Sequence, residues 1–184
     1  MKTHEEILFD KWIRELRKGS TYNRKRWHSF ADYEALREDL QLNGIKVFLE
    51  MGTANGVGAV NAALAGAWVH TTDLVKSPQI IEEPSFPLPH LDRFIQTHHI
   101  DAETWLDRLS DRQVLNAKVA LFIDYPMTKS SIGNILPSLN NFLNPGDMVY
   151  SKNQQVIDLF HRNDMVGDMI GSKIGAFRYR DILI

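Results

Sequence analysis

The sequence contains no cysteine, no long apolar run and no excess of positive charge, and each absence excludes a class of protein. Without cysteine the chain forms no disulfide, no thiolate nucleophile and no cysteine-ligated zinc site. No apolar run approaches the roughly 20 residues that a membrane span needs, and the charged start "MKTHEEILFDKW" has no signal-peptide pattern. The net charge of -2 gives no general attraction to nucleic acid. We therefore expect a cytoplasmic protein of one domain, with N-terminal helices over 1–44 and an α/β core over 45–184.

Positive charge that is present lies mostly near the N-terminus. Residues 1–28 hold eight Lys and Arg against four Asp and Glu, and "RKGSTYNRKRW" (17–27) is the densest basic stretch. We interpret this stretch as a solvated connection between two helices and not as a nucleic-acid patch. Neither a nucleic-acid nor a membrane partner is expected.

Helix and strand patterns alternate along the chain. A capping box in "THEE" starts a helix at Thr3, and a second helix runs from Ser29 to a stop at Asn43-Gly44. Strand patterns follow over 45–50, 67–74, 93–100, 118–124 and 146–151, helix patterns over 57–66, 102–110 and 130–143, and a hairpin pattern from 168. This alternation predicts an α/β, Rossmann-like fold. We expect a mostly parallel seven-stranded sheet with helices on both faces and a C-terminal antiparallel hairpin.

The segment "LEMGTANGVGAV" (49–60) carries three glycines behind a short apolar run, so its backbone can approach a ligand closely. A triphosphate-binding loop needs Gly-Lys-Ser/Thr, and no lysine is present here. A short-chain dehydrogenase is an alternative, because the glycines have its GxxxGxG spacing and Tyr125 and Lys129 have its YxxxK spacing. Against it, the glycine strand starts near residue 45, too late for the usual dehydrogenase domain, and no Asn-Asn-Ala-Gly follows.

Acidic side chains stand at the ends of four successive predicted strands: Glu50, Asp73, Asp101 and Asp124. Because the carboxyl ends of parallel strands meet at one edge of a sheet, these four groups are expected to line one crevice. Carboxylates are poor neighbours for a pyrophosphate. They suit a ligand with ribose hydroxyls, an exocyclic amine and a cationic sulfonium or ammonium.

This order of motifs resembles the class I S-adenosylmethionine-dependent methyltransferases, and the two N-terminal helices suit the small O-methyltransferases. "VFLEMGTANG" is similar to their first motif, "TTDL" to their ribose-binding acid and "HIDAETWLDRL" to their adenine-binding turn. "ALFIDYP…LNNFLNPGDMVYSKN" is similar to their fourth and fifth strands, so the resemblance covers about residues 45–153. It implies S-adenosylmethionine as the cofactor and methyl transfer to a small-molecule acceptor, with oxygen as the expected atom.

The resemblance implies cofactor-binding roles for ten residues near the strand ends: Glu50, Gly52, Thr53, Ala54, Gly56, Asp73, Leu74, Asp101, Ala102 and Asp124. The glycine loop would approach the amino-acid part of the cofactor, and Glu50 would support this loop or the cofactor's ammonium. Asp73 would accept hydrogen bonds from both ribose hydroxyls, and Asp101 would accept one from the adenine amine, with Ala102 beside the ring.

The metal-dependent branch of this family, which includes catechol O-methyltransferase, has an Asp after the fourth strand and an Asp-Asn pair after the fifth. Asp124 matches the first and Asn153 the last, but Lys152 stands where the branch has a carboxylate. An ammonium group there would repel a divalent cation and could pair with Asp124 instead. We therefore predict no metal site. The candidate general bases for a hydroxyl acceptor are Tyr125, Lys129 and Lys152.

Two alternatives stay open beside metal-free methyl transfer. One is a short-chain-dehydrogenase-like oxidoreductase that uses NAD(P), and the other is a protein that binds or cleaves S-adenosylmethionine without transferring its methyl group. A homodimer is one possible assembly.

A proline-rich stretch, "VKSPQIIEEPSFPLPH" (75–90), contains four prolines, which disfavour a regular helix. Long ordered loops in compact domains are often functional. We expect this one to lie over or beside the cofactor and to shape the acceptor pocket.

Overall fold

A computed structural model describes residues 2–19, 30–74, 79–110, 117–125, 137–140, 142–163 and 165–179. The basic stretch from residue 20 onward, the predicted helix start at Ser29 and the candidate base Lys129 lie outside these ranges. No helix of the described residues is long and apolar enough to cross a membrane.

Two helices form the N-terminal part: α1 (His4–Gly19) and α2 (Phe30–Leu42). The predicted capping box is present, since the Thr3 backbone N donates to Glu6 Oε2 (2.7 Å) and the Glu6 N donates to Thr3 Oγ1 (3.2 Å). Arg37 of α2 is buried and donates to both carboxylate oxygens of Asp10 in α1. This charge-assisted pairing holds the two helices together while their apolar faces pack on the sheet.

Seven strands form one sheet: β1 (Val47–Met51), β2 (Trp68–Thr72), β3 (Ile95–His98), β4 (Val119–Ile123), β5 (Met148–Ser151), β6 (Val166–Ile170) and β7 (Ile174–Arg178). Their order is β3-β2-β1-β4-β5-β7-β6. The first five strands pair in parallel, whereas β7 is antiparallel to both β5 and β6. The predicted fold class is therefore confirmed, including the C-terminal hairpin.

Further helices among the described residues include α3 (Val57–Leu64), α4 (Gln79–Glu82), α5 (Ala102–Ser110) and α6 (Gln154–Arg162), with a 3-10 helix at Pro89–Phe94. They divide between the two faces of the sheet. Phe48 and Phe122 belong to the core that α1, α2 and α3 cover, while Leu49 and Leu121 belong to the core that α5 and α6 cover. All five residues of β4 are buried, as its continuous apolar run predicts for a strand covered on both sides.

The proline-rich stretch differs from the expected loop. Its described part, 79–90, contains α4 and the start of the 3-10 helix, with Pro89 in the first turn, where a missing N–H costs nothing. Phe86 is buried and packs edge-on against Trp12 of α1 at a centroid distance of 5.4 Å. This part of the chain therefore completes the core beneath α1.

Helix α6 is not among the helices predicted from the sequence. Asn153 caps it by accepting from the Gln155 backbone N (3.0 Å), and Val156, Ile157 and Phe160 form its buried face. An asparagine cap followed by apolar residues at this spacing was a readable signal. In the predicted helix 130–143, residues 137–140 are helical, residues 142–143 are not, and the others lie outside the described chain.

The N-terminal helices are also attached to the C-terminal hairpin. Asp32 of α2 is fully buried and accepts from the backbone N (2.6 Å) and the Oγ (2.9 Å) of Ser172. Ser172 lies in the turn between β6 and β7. The neighbouring Gly171 leaves room for this contact, because a Cβ there would come within 2.6 Å of Asp32 Oδ1.

Candidate active site

A cleft of about 470 Å³ opens at the carboxyl ends of β1 to β4. Ten residues line it: Gly52, Ala54, Thr72, Asp73, Leu74, Asp101, Ala102, Glu103, Asp124 and Tyr125. Eight of these were singled out from the sequence. Thr72 and Glu103 were missed, although each is the immediate chain neighbour of a predicted residue.

Gly52 joins the ends of β1 and β4 at the bottom of the cleft. Its φ of +99° lies in the left-handed region, and a Cβ there would come within 2.8 Å of the Asp124 carbonyl oxygen and 2.9 Å of Tyr125 Cβ. Its N–H donates to the Thr72 carbonyl (2.9 Å), so the loop is also fastened to β2. Only glycine meets both the backbone and the space requirement here.

Asp73 follows β2 and faces the glycine loop. Its Oδ2 accepts from the backbone N of Ala54 (3.0 Å). Ala54 has a φ of +47°, a conformation that costs a non-glycine residue about 1–2 kcal/mol. The hydrogen bond holds Ala54 in this conformation and keeps the Asp73 carboxylate at the cleft.

Asp101 stands at the start of α5 and caps that helix. Its Oδ1 accepts from the Thr104 backbone N (2.8 Å). Hydrogen bonds from the Thr104 side chain, and then from its backbone, lower the pKa of Asp101. The carboxylate is thus ionised at neutral pH and fixed at the cleft wall, where Thr72 ties β2 to β3 by donating to the Ile100 carbonyl (2.6 Å).

Glu50 lies behind the cleft and does not line it. It is buried, and its Oε2 accepts from Thr71 Oγ1 (2.6 Å), which is also hydrogen-bonded to the Thr53 side chain. Burial raises the pKa of Glu50 to about 8, against the lowering effect of the Thr71 bond, so the group is mostly neutral at pH 7. Glu50 is expected either to support the glycine loop or to bind the cofactor's ammonium, and these contacts favour support of the loop.

Thr53 and Gly56 also lie outside the cleft lining. Gly56 has a φ of +86°, donates its N–H to the Thr53 carbonyl (2.8 Å) and precedes α3 as its N-terminal cap. The glycine at 58 has a separate reason: a Cβ there would lie 2.1 Å from Glu50 Oε1. These positions shape the loop from behind, and their direct contact with a ligand stays a prediction.

A buried cluster joins Asp124 to β5 and α2. Lys152 Nζ lies 3.4 Å from Asp124 Oδ2, which confirms the ion pair expected from the sequence. The Tyr33 hydroxyl of α2 donates to the same oxygen (3.3 Å), and Lys152 Nζ lies 3.6 Å from the centroid of the Tyr33 ring. Burial lowers the pKa of Lys152, although the charge of Asp124 opposes this effect. Burial, and then the charge of Asp124, raise the pKa of Tyr33.

The three candidate bases have different positions. Tyr125 lines the cleft, but burial and then the charges of Glu103 and Asp101 raise its pKa to about 12. Its hydroxyl therefore keeps its proton at neutral pH and can act as a hydrogen-bond donor but not as a general base. Lys152 is 5% exposed and lies behind Asp124, outside the cleft lining. Lys129 is not part of the described chain.

The cleft is strongly acidic. Among the described residues, its lining contains the carboxylates of Asp73, Asp101, Glu103 and Asp124 and no lysine or arginine, while Lys152 pairs with Asp124 from outside the lining. Such a surface attracts a cation more than a pyrophosphate. Within the described ranges, no three His, Asp or Glu side chains are grouped so as to hold a metal ion.

Comparison with solved structures identifies the fold. A methyltransferase from Geobacter sulfurreducens gives a TM-score of 0.63 at 13% identity, with 94% of this chain and 87% of that chain covered. The O-methyltransferase TomG from Streptomyces achromogenes, in complex with S-adenosylmethionine, gives 0.64 at 16% identity, with 94% and 89% covered. An O-methyltransferase from Bacillus cereus, in complex with S-adenosylhomocysteine, gives 0.57 at 14% identity, with 95% and 90% covered. The chain has a methyltransferase fold.

The sequence comparisons add no family assignment, because no family model matches the chain and no curated protein matches it significantly. The topology still separates this fold from that of the dehydrogenases. Rossmann dehydrogenases have the strand order 3-2-1-4-5-6. Here the antiparallel β7 lies between β5 and β6.

Proposed function

We propose that this protein transfers a methyl group from S-adenosylmethionine to a small-molecule acceptor, at oxygen and without a metal ion. The observation that carries the proposal is the acidic cleft at the glycine loop of a methyltransferase fold. Its four carboxylates, in a described lining that contains no lysine or arginine, suit a ligand that carries a sulfonium, an ammonium and hydroxyl donors. Two neighbours of the same fold were solved with this cofactor or with its demethylated product.

The residues present fit this cofactor. The Asp73 carboxylate is held at the cleft by the backbone N–H of Ala54, and we assign it to the ribose hydroxyls. Asp101 and Ala102 form the opposite wall, and we assign them to the adenine. Gly52 lets the loop pack directly against the residues after β4, where a side chain would collide, and we assign its backbone to the amino-acid part of the cofactor.

When bound, S-adenosylmethionine would supply an electrophilic methyl group to the acceptor oxygen, and its sulfur would keep the electron pair of the broken carbon–sulfur bond. The protein's part is to hold the acceptor in line and exclude water. The proton of a hydroxyl acceptor needs a base, and Lys129 remains the candidate predicted from the sequence. Tyr125 is protonated and Lys152 is enclosed, so neither is assigned this step.

The metal-free part of the proposal rests on Lys152. Its ammonium group lies 3.4 Å from the carboxylate that a cation would use, and both groups are largely buried. A divalent ion at Asp124 would have to displace this charge. Asn153, the other expected ligand, is engaged as the cap of α6.

The proposal must be tested against an alternative, in which the same cleft binds NAD or NADP for an oxidation reaction. Thermal unfolding should be followed with S-adenosylhomocysteine, NAD and NADP at equal concentration. Binding to the native state raises the melting temperature, so we expect a shift with S-adenosylhomocysteine alone. A shift with NADP and none with S-adenosylhomocysteine would reject the proposal.

Asp73→Ala tests the site assignment. Loss of a charged acceptor for the ribose should weaken S-adenosylhomocysteine binding by about 10- to 100-fold in calorimetry. The matched control is Asp168→Ala, which removes an exposed carboxylate of β6 and should bind normally. Equal affinities of the two variants would place the ribose elsewhere.

Turnover separates transfer from simple binding or cleavage. Mass spectrometry of reactions with phenolic and carboxylic acceptors should find products heavier by one methylene, in equal yield with EDTA or magnesium. Cofactor breakdown without a methylated product would favour the cleaving alternative. A rate raised by magnesium would contradict the role given to Lys152. The single domain, the cytoplasmic location and the homodimer stay predictions from the sequence.

A further inference from the structure

The hydroxyl of Tyr125 is a buried polar group without a partner. Three side-chain atoms of the described residues are buried with no hydrogen bond: Asp32 Oδ2, Asn61 Oδ1 and the Tyr125 hydroxyl. Of these three residues only Tyr125 lines the cleft. An unsatisfied buried donor destabilises a protein, so its presence at a ligand cleft points to a partner that the ligand provides.

The position of Tyr125 narrows down which part of the ligand it meets. Its Cβ lies near Gly52 at the end of β4, and its ring packs with the cluster that contains Trp105 and Leu106 of α5. The two carboxylates that act on its hydroxyl are Glu103 and Asp101, both at the start of α5. The hydroxyl therefore lies on the side of the cleft assigned above to the adenine.

We propose that the Tyr125 hydroxyl donates a hydrogen bond to a ring nitrogen of the cofactor's purine, beside the Asp101 carboxylate that accepts from the exocyclic amine. This inference rests on the proposed function. Adenine presents an amine donor with ring-nitrogen acceptors on either side of it, and a paired donor and acceptor on the protein match that edge. A purine with an oxygen at position 6 presents an acceptor where Asp101 needs a donor. Tyr125 and Asp101 would thus make the cleft selective for adenine.

The donor role follows from the protonation state of Tyr125. Its pKa of about 12 keeps the proton on the phenol throughout the physiological range. A phenol has one proton to donate, and the Tyr125 hydroxyl has no hydrogen-bond partner among the described residues. Its proton is therefore left for the ligand.

Tyr125→Phe removes this hydroxyl and keeps the ring. Calorimetry should compare the wild-type protein and the variant with S-adenosylhomocysteine and its 1-deaza, 3-deaza and 7-deaza analogues, each of which lacks one ring nitrogen. We expect Tyr125→Phe to lose about 3- to 10-fold in affinity for S-adenosylhomocysteine. The analogue that lacks the nitrogen contacted by Tyr125 should bind the wild-type protein about 3- to 10-fold more weakly than S-adenosylhomocysteine does. This analogue should bind the wild-type protein and Tyr125→Phe with equal affinity. Without ligand, the variant should melt at the wild-type temperature or above it, because no internal hydrogen bond is lost.

Tyr150→Phe is the matched control. The Tyr150 hydroxyl donates to Asp39 Oδ2 (2.7 Å) outside the cleft, so this variant should melt lower and bind S-adenosylhomocysteine normally. The inference is overturned if Tyr125→Phe binds S-adenosylhomocysteine as tightly as the wild type, if it loses equally for all three analogues, or if it melts lower without ligand. Absence of any binding of S-adenosylhomocysteine to the wild-type protein would instead overturn the proposed function, and this inference with it.

Discussion

The two halves of one sheet edge use their carboxylates differently. At the ends of β2 and β3, Asp73 and Asp101 face the cleft and accept from backbone amides. At the ends of β1 and β4, Glu50 is buried against Thr71, and Asp124 is held by Lys152 and by Tyr33 of α2. The position after a strand decides where a carboxylate lies. What covers it decides its contacts: Glu50 is enclosed behind the cleft, whereas Asp124 lines the cleft and is also held by Lys152 and Tyr33.

Lys152→Met should have the largest effect on this comparison, because it removes the cation from the enclosed half. The Asp124 carboxylate would remain buried without its ion pair, and we expect a loss of about 3 kcal/mol in the free energy of unfolding. Urea denaturation measures this loss. The control Lys173→Met removes an exposed lysine and should change stability by less than about 0.5 kcal/mol.

A double variant makes this first test sharper. Lys152→Met with Asp124→Leu removes both charges and should recover most of the lost stability, since an apolar pair can replace a buried ion pair. If the double variant were less stable than Lys152→Met, the carboxylate would not be the source of the cost.

Gly52→Ala tests the point where the two halves meet. The substitution combines an unfavourable φ with a collision against the end of β4, so we expect a loss of about 2–3 kcal/mol and weaker binding of S-adenosylhomocysteine. Gly44→Ala is the matched control, since its φ is +65° and a Cβ there has nothing within 4 Å. It should cost about 1 kcal/mol and leave binding unchanged. Equal losses of stability in the two variants would mean that the collision between residue 52 and the residues after β4 is relieved without a free-energy cost.

Glu50→Gln has its effect on the pH dependence of stability. Between the ordinary pKa of 4.5 and the folded value of about 8, the unfolded chain releases the Glu50 proton while the folded protein keeps it. Stability from this group is therefore complete below pH 4.5 and declines as the pH rises toward 8. The decline is at most about 1.4 kcal/mol per pH unit.

The measurement is the free energy of unfolding at several pH values from 5 to 8. Glu50→Gln should show a shallower decline than the wild type, and the exposed control Glu38→Gln should keep the wild-type slope. Parallel slopes for all three proteins would mean that Glu50 is ionised in the folded state.

Most of the sheet was predictable because its signals are local. The continuous apolar run of β4 and the glycine that ends β1 are properties of neighbouring residues, and both led to the correct element. The cleft lining followed from one geometric fact, that parallel strands end at a shared edge. Helix α6 is also encoded locally, because the asparagine of "YSKN" caps it and apolar residues at helical spacing follow.

The enclosed half of the edge was not predictable in the same way. Tyr33 contacts Asp124 across 91 positions of sequence, and on α2 it has the spacing of an ordinary core residue. The packing of the proline-rich stretch was not predictable for a related reason: prolines indicate where a regular helix is disfavoured, but they do not tell which side chains beyond them are buried. Its place beside the cofactor and the acceptor stays a prediction. Phe86 and Leu88 pack into the core from that stretch.

The place of β7 between β5 and β6 has a consequence for how the chain folds. During synthesis β6 is made before β7, yet its only strand neighbour among the described residues is β7. The β6–β7 hairpin can form on a timescale of about 1–10 μs, because its contacts are local. Its docking onto β5 also brings Ser172 to Asp32, 140 positions away, and such distant contacts form slowly. Until then the edge of β5 is open to pairing with other chains, which makes this the step at which folding competes with aggregation.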